Sequence, residues 1–269
     1  MGYGTKKWES WVLDDKKEVF KILKKAYDHG IRTYDTADTY SNGLSEKILG
    51  EFLKEYNIKR DKVVIMTKFW GPVDDSYPEG YKGIMVDLFG APIDKINFAN
   101  NRGASRKHII DAAKNSSERL GTYIDVYQLH RFDNNTPIEE TMKALNDVVD
   151  AGYTRYIGAS TMRAVDFVEM QHVAEKNGWH KFISMQSLYN LLQREDEVEM
   201  NYYCDKTGVG LIPWSPLMGG VLARPVPKDE SDKSERTKTS MFRKRFEAMD
   251  ITSESKNQDS SIEIINRVS

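Results

Sequence analysis

Residues 34–46, YDTADTYSNGLSE, set two carboxylates, Asp35 and Asp38, and a phenol, Tyr40, close together, and then break off in Ser-Asn-Gly, a run of turn formers. A phenol with an ordinary pKa near 10 is a poor acid at neutral pH unless a neighbouring cation favours the phenolate. Two other residues end apolar, β-prone runs: Lys68 closes VVIMTK (63–68) and His130 closes YIDVYQLH (123–130). If those runs are parallel strands of a barrel, their ends share one mouth with Asp35 and Tyr40. Lys68 would then acidify Tyr40, Asp35 would hold the lysine's charge against burial, and His130 could orient a carbonyl oxygen. Such a set suits carbonyl reduction: a hydride reaches carbon while Tyr40 gives a proton to oxygen, general-acid catalysis worth roughly 10² to 10⁴ in rate. The hydride would come from a cofactor.

Each residue also has an ordinary explanation. An Asp after a strand is usually a turn or cap residue, a strand-end Lys a solvated charge, and a loop Tyr a packing group. Their joint occurrence at three strand ends is what favours chemistry. A Schiff-base role for Lys68 fits less well, because Tyr and Asp neighbours favour the protonated amine.

The elements that would position these residues alternate. Val19, Ile22, Leu23, Ala26 and Tyr27 recur at helical spacing before Gly30, and IRTYDTA follows as a strand. Ile48, Leu49, Phe52 and Leu53 line a second helix ahead of VVIMTK. Ser105 caps a helix through Leu120; Thr136, Pro137 and Glu139 read as a capping box with proline at the first helical position. RYIGAS (155–160), a helix near 164–176, FISMQS (182–187), a helix across 197–206 and VGLIPWS (209–215) complete six strands. The starts lie mostly about 30 residues apart, the beat of a (β/α)8 TIM-type barrel. One domain spanning 1–269 is expected, lacking the first and last strands of a closed barrel. A long loop at about 69–104 would overhang the mouth, a polar stretch at about 226–259 reads as mobile, and Ser260 with Glu263 marks a final helix start.

With 39 basic and 41 acidic residues in 269, net charge −2, and no block of either sign, neither nucleic acid nor a membrane surface is the expected partner. No apolar run approaches the roughly 18 residues needed to span a bilayer. The single cysteine, Cys204, allows no internal disulfide, and a cytoplasmic setting is expected. His29, His108, His172 and His180 lack metal-ligand spacing, so packing or surface roles are expected and no metal. Trp70, just beyond the lysine strand, is a candidate for the substrate pocket. Nothing in the sequence reads out the oligomeric state.

The chain resembles the aldo-keto reductase superfamily. DTADTYSNGLSE is similar to its first signature, VVIMTK to its lysine strand, YIDVYQLHR to its histidine strand, and AGYTRYIGAS to the segment that follows; WVLDDK, RGASRKHII and YNLLQRE resemble the aryl-alcohol-dehydrogenase-like branch. The resemblance implies a (β/α)8 barrel, NADPH as cofactor, and a catalytic tetrad of Asp35, Tyr40 as proton donor, Lys68 and His130. It further implies that Ser160 and Gln186 hold the nicotinamide carboxamide, that Trp214 stacks on the ring, and that SPLMGG, with Ser215, Leu217 and Gly219, lies along the pyrophosphate. Where the family usually has Asn after the serine, this chain has Thr161. The activity implied is NADPH-dependent reduction of aldehydes or ketones, aryl aldehydes among them, with small-molecule carbonyls or alcohols as partners. Two rival readings are an inactive shortened product and a cofactor-sensing binding subunit.

Overall fold

The computed structural model describes residues 1–74, 76–77, 96–225, 235–239 and 258–268. Helix α1 (Lys16–Asp28) precedes β1 (Thr33–Asp35), and α2 (Leu44–Glu55) precedes β2 (Val64–Phe69). Beyond a long connection come α3 (Arg106–Leu120), β3 (Ile124–Leu129), α4 (Ile138–Asp150), β4 (Thr154–Ser160), α5 (Ala164–Asn177), β5 (Phe182–Gln186), α6 (Met200–Thr207) and β6 (Gly210–Leu211). Helices α7 (Glu235–Thr239) and α8 (Gln258–Val268) follow. The strands pair in chain order, all parallel, and curl into half of a (β/α)8 barrel with helices on the outside.

Burying the sheet's outer face against the helices fixes this arrangement. Ile65, Tyr127, Ile157 and Met185 point outward with essentially no exposure and pack with Leu49, Phe52, Ile109, Leu145 and Phe167 of the helices. The opposite, inner face carries the polar register Lys68, Gln128 and Gly158 across three strands, with Ser160 beside Gln186. Period-two alternation puts the apolar set under the helices and leaves the polar set inside the barrel.

Several local expectations are corrected. Ile22 is largely exposed on α1, and Phe20 takes its place in the core by packing edge-on against Phe52 at 5.8 Å. No capping box forms at α4: Pro137 is the cap residue, and the Thr136 hydroxyl donates to Asp133 Oδ2 at 2.9 Å. Asp133 also accepts from the Ala104 and Asn135 amides, so it organises the turn ahead of the helix. Ser260 lies inside α8, which starts at Gln258. The strand expected at 209–215 shrinks to Gly210–Leu211, because Pro213 has no N–H to donate and Ser215 is left-handed (φ 52°).

Phe69 still belongs to β2, and beyond it the described parts of the 69–104 connection carry neither helix nor strand; its residues 75 and 78–95 lie outside the described residues. Its start is tied to the loop after β1 by a two-way clasp: Asn42 Nδ2 donates to the Asp74 carbonyl at 2.8 Å and the Asp74 amide donates to Asn42 Oδ1 at 3.2 Å. The segment expected to be mobile, 226–259, lies outside the described residues apart from α7 and the start of α8. Among the described residues, no helix is long and apolar enough to cross a membrane.

Candidate active site

The loop that leaves β1 carries Asp35, Asp38 and Tyr40, and it is held in place along its length. The Thr36 amide donates to the Met66 carbonyl at 2.9 Å and the Asp38 amide to the Lys68 carbonyl at 3.0 Å, which extends the β1–β2 ladder past the last strand residue. Ser41, Asn42 and Gly43 then turn the chain with positive φ (52°, 51° and 86°), directly into α2. Ser41 and Asn42 in this region are uncommon and need outside support. The Thr5 amide donates to the Ser41 hydroxyl at 3.2 Å, and Asn42 makes the clasp to Asp74.

Lys68, at the end of β2, is 1% exposed and its ammonium donates to Asp35 Oδ2 at 2.7 Å and to the Thr36 carbonyl at 2.9 Å. The same ammonium lies 5.5 Å from the centroid of the Tyr40 ring. His130, just past β3, is fixed by its own amide to the Phe69 carbonyl (3.0 Å) and meets Tyr40 edge-on, centroids 6.0 Å apart at 82°. Trp8 also packs against Tyr40, ring centroids 6.1 Å apart. Asp35, Tyr40, Lys68 and His130 are therefore neighbours, although Asp35 and His130 are 95 positions apart in sequence.

Burial governs the protonation of this cluster. Desolvation pulls the Lys68 pKa down, but Tyr40 and Asp35 more than compensate, so it lies above the ordinary lysine value and the ammonium persists. Desolvation raises the Tyr40 pKa above 10, and the lowering pull of Lys68 does not cancel it. The expected acidification of Tyr40 is thus corrected: the cation moderates a rise caused by burial. His130 is pushed well below 6.5, first by burial and then by Lys68 and Arg131, which leaves a neutral imidazole at pH 7.

The ends of β4 to β6 form the other side. The Ser160 hydroxyl donates to the Gln186 carbonyl at 2.7 Å, and the Gln186 side-chain amide reaches Asp35 Oδ1 at 3.3 Å. The Trp214 indole N–H donates to the Thr161 hydroxyl at 2.9 Å, and the Arg131 guanidinium lies 5.7 Å from the Trp214 ring. Thr161 is held at φ 45°, unusual for a β-branched residue. Ser215, Met218, Gly219 and Gly220 all have positive φ, and a Cβ built on either glycine would meet nothing within 4 Å, so this loop faces open space. Leu217 is half-exposed in it, while Met218 and Leu222 turn inward against Ile265 of α8. Trp70 is partly buried in the connection after β2, where its carbonyl accepts from the Gly103 amide at 2.7 Å. No hydrogen bond or ring contact among the described residues joins its indole to Tyr40 or His130.

Two features escaped the sequence. Gln128 on β3 is fully buried between Asp35 and Gln186; an inward Gln in a strand carries no pattern of its own. Behind the sheet, Glu46 is fully buried and accepts from the Thr67 hydroxyl (2.5 Å) and Arg119 Nε (2.6 Å). Beside it Asp38 is held well above the usual carboxylate range by burial and by the Glu46 charge. The two aspartates of the opening motif thus part: Asp35 meets the lysine, and Asp38 turns into the back layer. A groove of about 990 Å³ between α2 and α3, lined by charges of both signs such as Lys47, Glu51 and Glu118, touches none of the strand-end residues.

The Aldo/keto reductase family model matches residues 1–265. The chain belongs to the aldo/keto reductase family. A provisionally named aryl-alcohol dehydrogenase of Saccharomyces cerevisiae, AAD16, is 49% identical over 268 residues, covering 100% of this chain and 74% of the relative. A provisionally named aryl-alcohol dehydrogenase of Schizosaccharomyces pombe, C977.14c, is 51% identical over 255 residues, covering 92% and 70%. Versiconal hemiacetal acetate reductase of Aspergillus parasiticus is 52% identical over 227 residues, covering 84% and 64%. Membership and these relatives support oxidoreduction of carbonyl compounds.

Proposed function

We propose that this chain reduces aldehydes or ketones to alcohols with NADPH, and that Tyr40 is the proton donor. The observation that carries the reading is the buried Lys68 ammonium, 2.7 Å from Asp35 and over the Tyr40 ring, with neutral His130 edge-on to the same phenol. The carbonyl substrate would sit against the Tyr40 hydroxyl, with an imidazole N–H of His130 directing its oxygen. As hydride reaches carbon, Tyr40 gives its proton to the oxygen, and the phenolate left behind is stabilised by Lys68. Asp35 holds Lys68 in its charged form and in position. Because burial keeps Tyr40 protonated, the donor is loaded at neutral pH.

The residues present fit a nicotinamide cofactor. Gln186 keeps its carbonyl Oε1 uncommitted while its amide nitrogen is engaged, so it presents an acceptor to a carboxamide N–H. Ser160 donates its hydroxyl hydrogen to the Gln186 main-chain carbonyl, and toward a carboxamide it too offers lone pairs. Trp214, fixed by Thr161, would face the ring, and the open loop at Ser215, Leu217 and Gly219 suits a pyrophosphate. When bound, reduced nicotinamide supplies the hydride. The preference for NADPH over NADH rests on the family resemblance.

Aryl substrates are favoured by the relatives' names and by Trp8 beside Tyr40, with Trp70 a candidate wall of the pocket. The test is NADPH oxidation by the purified chain with aromatic and aliphatic aldehydes, alongside the melting temperature with and without cofactor. Turnover of aryl aldehydes supports the reading. A cofactor-dependent rise in melting temperature without turnover of any aldehyde favours a cofactor-sensing subunit, and no rise at millimolar cofactor favours an inactive product.

A further inference from the structure

An ionised carboxylate only accepts hydrogen bonds, so the two side-chain amides beside Asp35 have one consistent orientation. Gln128 must turn Nε2 toward Asp35 Oδ1, at 3.1 Å, which leaves its Oε1 facing Gln186 Nε2, at 3.3 Å. Gln186 Nε2 then donates one hydrogen to Gln128 and the other to Asp35 Oδ1, also at 3.3 Å. Asp35 meanwhile gives its other oxygen to Lys68. One closed ring of hydrogen bonds therefore joins the acid of the charged cluster to Gln186, and Gln128 is the member that touches both.

Packing holds that member still. Gln128 is fully buried, and its register partner on β4 is Gly158. A Cβ at residue 158 would fall 3.0 Å from Gln128 Cγ and 2.6 Å from the Ser184 hydroxyl, so the Gln128 stem lies across the space that any larger residue would take. With both its N–H groups engaged, Gln186 can offer a ligand only its carbonyl oxygen, an acceptor matched to the N–H of a primary carboxamide.

We propose that Gln128 is a positioning residue that sets Asp35 and Gln186 together, locking Gln186 with its carbonyl turned to the cofactor's carboxamide. The inference rests on the reading of Gln186 as the group that meets the nicotinamide. Without Gln128, one of the two bonds that hold the Gln186 amide is lost, and only the 3.3 Å bond to Asp35 keeps its carbonyl turned to the carboxamide.

The test uses the full chain and tryptophan-fluorescence titrations with two ligands, NADP+ and 2′-phospho-ADP-ribose, which lacks the nicotinamide. Two variants are needed. Gln128→Met keeps the volume and removes both hydrogen bonds; Gln128→Glu keeps the shape and, ionised, cannot donate to Asp35 but still accepts from Gln186. In Gln128→Met the Kd for NADP+ is expected to rise about tenfold, the weight of one neutral hydrogen bond, and in Gln128→Glu, where Gln186 keeps its acceptor, by less, while the Kd for 2′-phospho-ADP-ribose stays within about twofold in both. A general loss of structure would weaken both ligands alike, and circular dichroism identifies any variant that has not folded. If folded Gln128→Met binds NADP+ as the unaltered chain does, or either variant loses both ligands equally, the role of Gln128 is overturned while the cofactor reading stands. If the unaltered chain binds neither ligand, the cofactor reading falls and this inference falls with it.

Discussion

At the ends of β1, β2 and β3 the site is made of an ion pair, a phenol and a neutral imidazole, whereas at the ends of β4, β5 and β6 it is made of amides, hydroxyls and an indole. The first half is held by counter-charge: Lys68 keeps its proton inside the barrel because Asp35 and Tyr40 outweigh desolvation. A second buried ion pair, Glu46 with Arg119, braces the same loop from behind. The second half is held by geometry, with Thr161 and Ser215 in strained backbone positions, the Ser160 hydroxyl pinned to a carbonyl and the Trp214 indole pinned to the Thr161 hydroxyl. Charge fixes a position strongly but fails abruptly when one partner is removed; neutral hydrogen bonds and strain each contribute less and fail gradually.

The largest effect should come from the ionic half. Tyr40→Phe removes the proton donor and nothing else in the ring contacts, so kcat for carbonyl reduction should fall by roughly 10² to 10⁴ with cofactor Kd within about twofold. Steady-state rates paired with fluorescence titration check this; retained turnover would remove Tyr40 from the chemistry. Next in size is Glu46→Gln. With side-chain exposures of 9% for Arg119 and 0% for Glu46, the substitution removes the buried carboxylate charge that faces Arg119, and unfolding free energy should drop by about 3 kcal/mol in urea titration. A drop under about 1 kcal/mol would show that the back layer is not the brace described.

The pH dependence of stability separates burial from pairing. His108 on α3 is buried against Phe69, and burial holds its pKa down at about 4, against about 6.5 when free. Between those values the unfolded chain binds more protons, so stability is full above about pH 6.5 and is lost as pH falls toward 4, by roughly 3 kcal/mol at most. His130, depressed for the same first cause, acts in the same direction. Urea midpoints measured from pH 7.5 to 4.5 should therefore decline, and His108→Gln should flatten the decline; an unchanged slope would mean that His108 does not carry it.

The legible part of the molecule was the part written in repeated patterns. Helix stripes, apolar strand runs and their roughly 30-residue beat reveal the alternation, and the catalytic candidates stand out because Asp35, Lys68 and His130 each terminate such a run. Less legible were features decided by what faces a residue across the barrel. Gln128 looks like any polar residue in a strand until Asp35 and Gln186 are placed beside it. The fate of Tyr40 turned on the competition of burial with a cation, and sequence shows the cation without the depth of burial. Thr136 fits a capping pattern, in which its hydroxyl would accept from a helix amide, but it donates to Asp133 instead, a local choice that spacing does not decide.

The smallest expected effect tests the geometric half. Thr161 sits at φ 45° with a branched Cβ, a conformation that Asn adopts far more readily. Its hydroxyl accepts from the Trp214 indole, and an Asn carbonyl could accept the same hydrogen. Thr161→Asn should therefore relieve strain without freeing Trp214, raising unfolding free energy by about 1 kcal/mol. Thr161→Val keeps the branch and removes the acceptor, leaving the strain in place and the indole N–H without its partner, so stability should fall by a similar amount. Urea titration of the pair gives the sign directly. If both substitutions destabilise equally, the hydroxyl matters and the backbone strain does not, and the contrast between a half held by charge and a half held by geometry loses its clearest support.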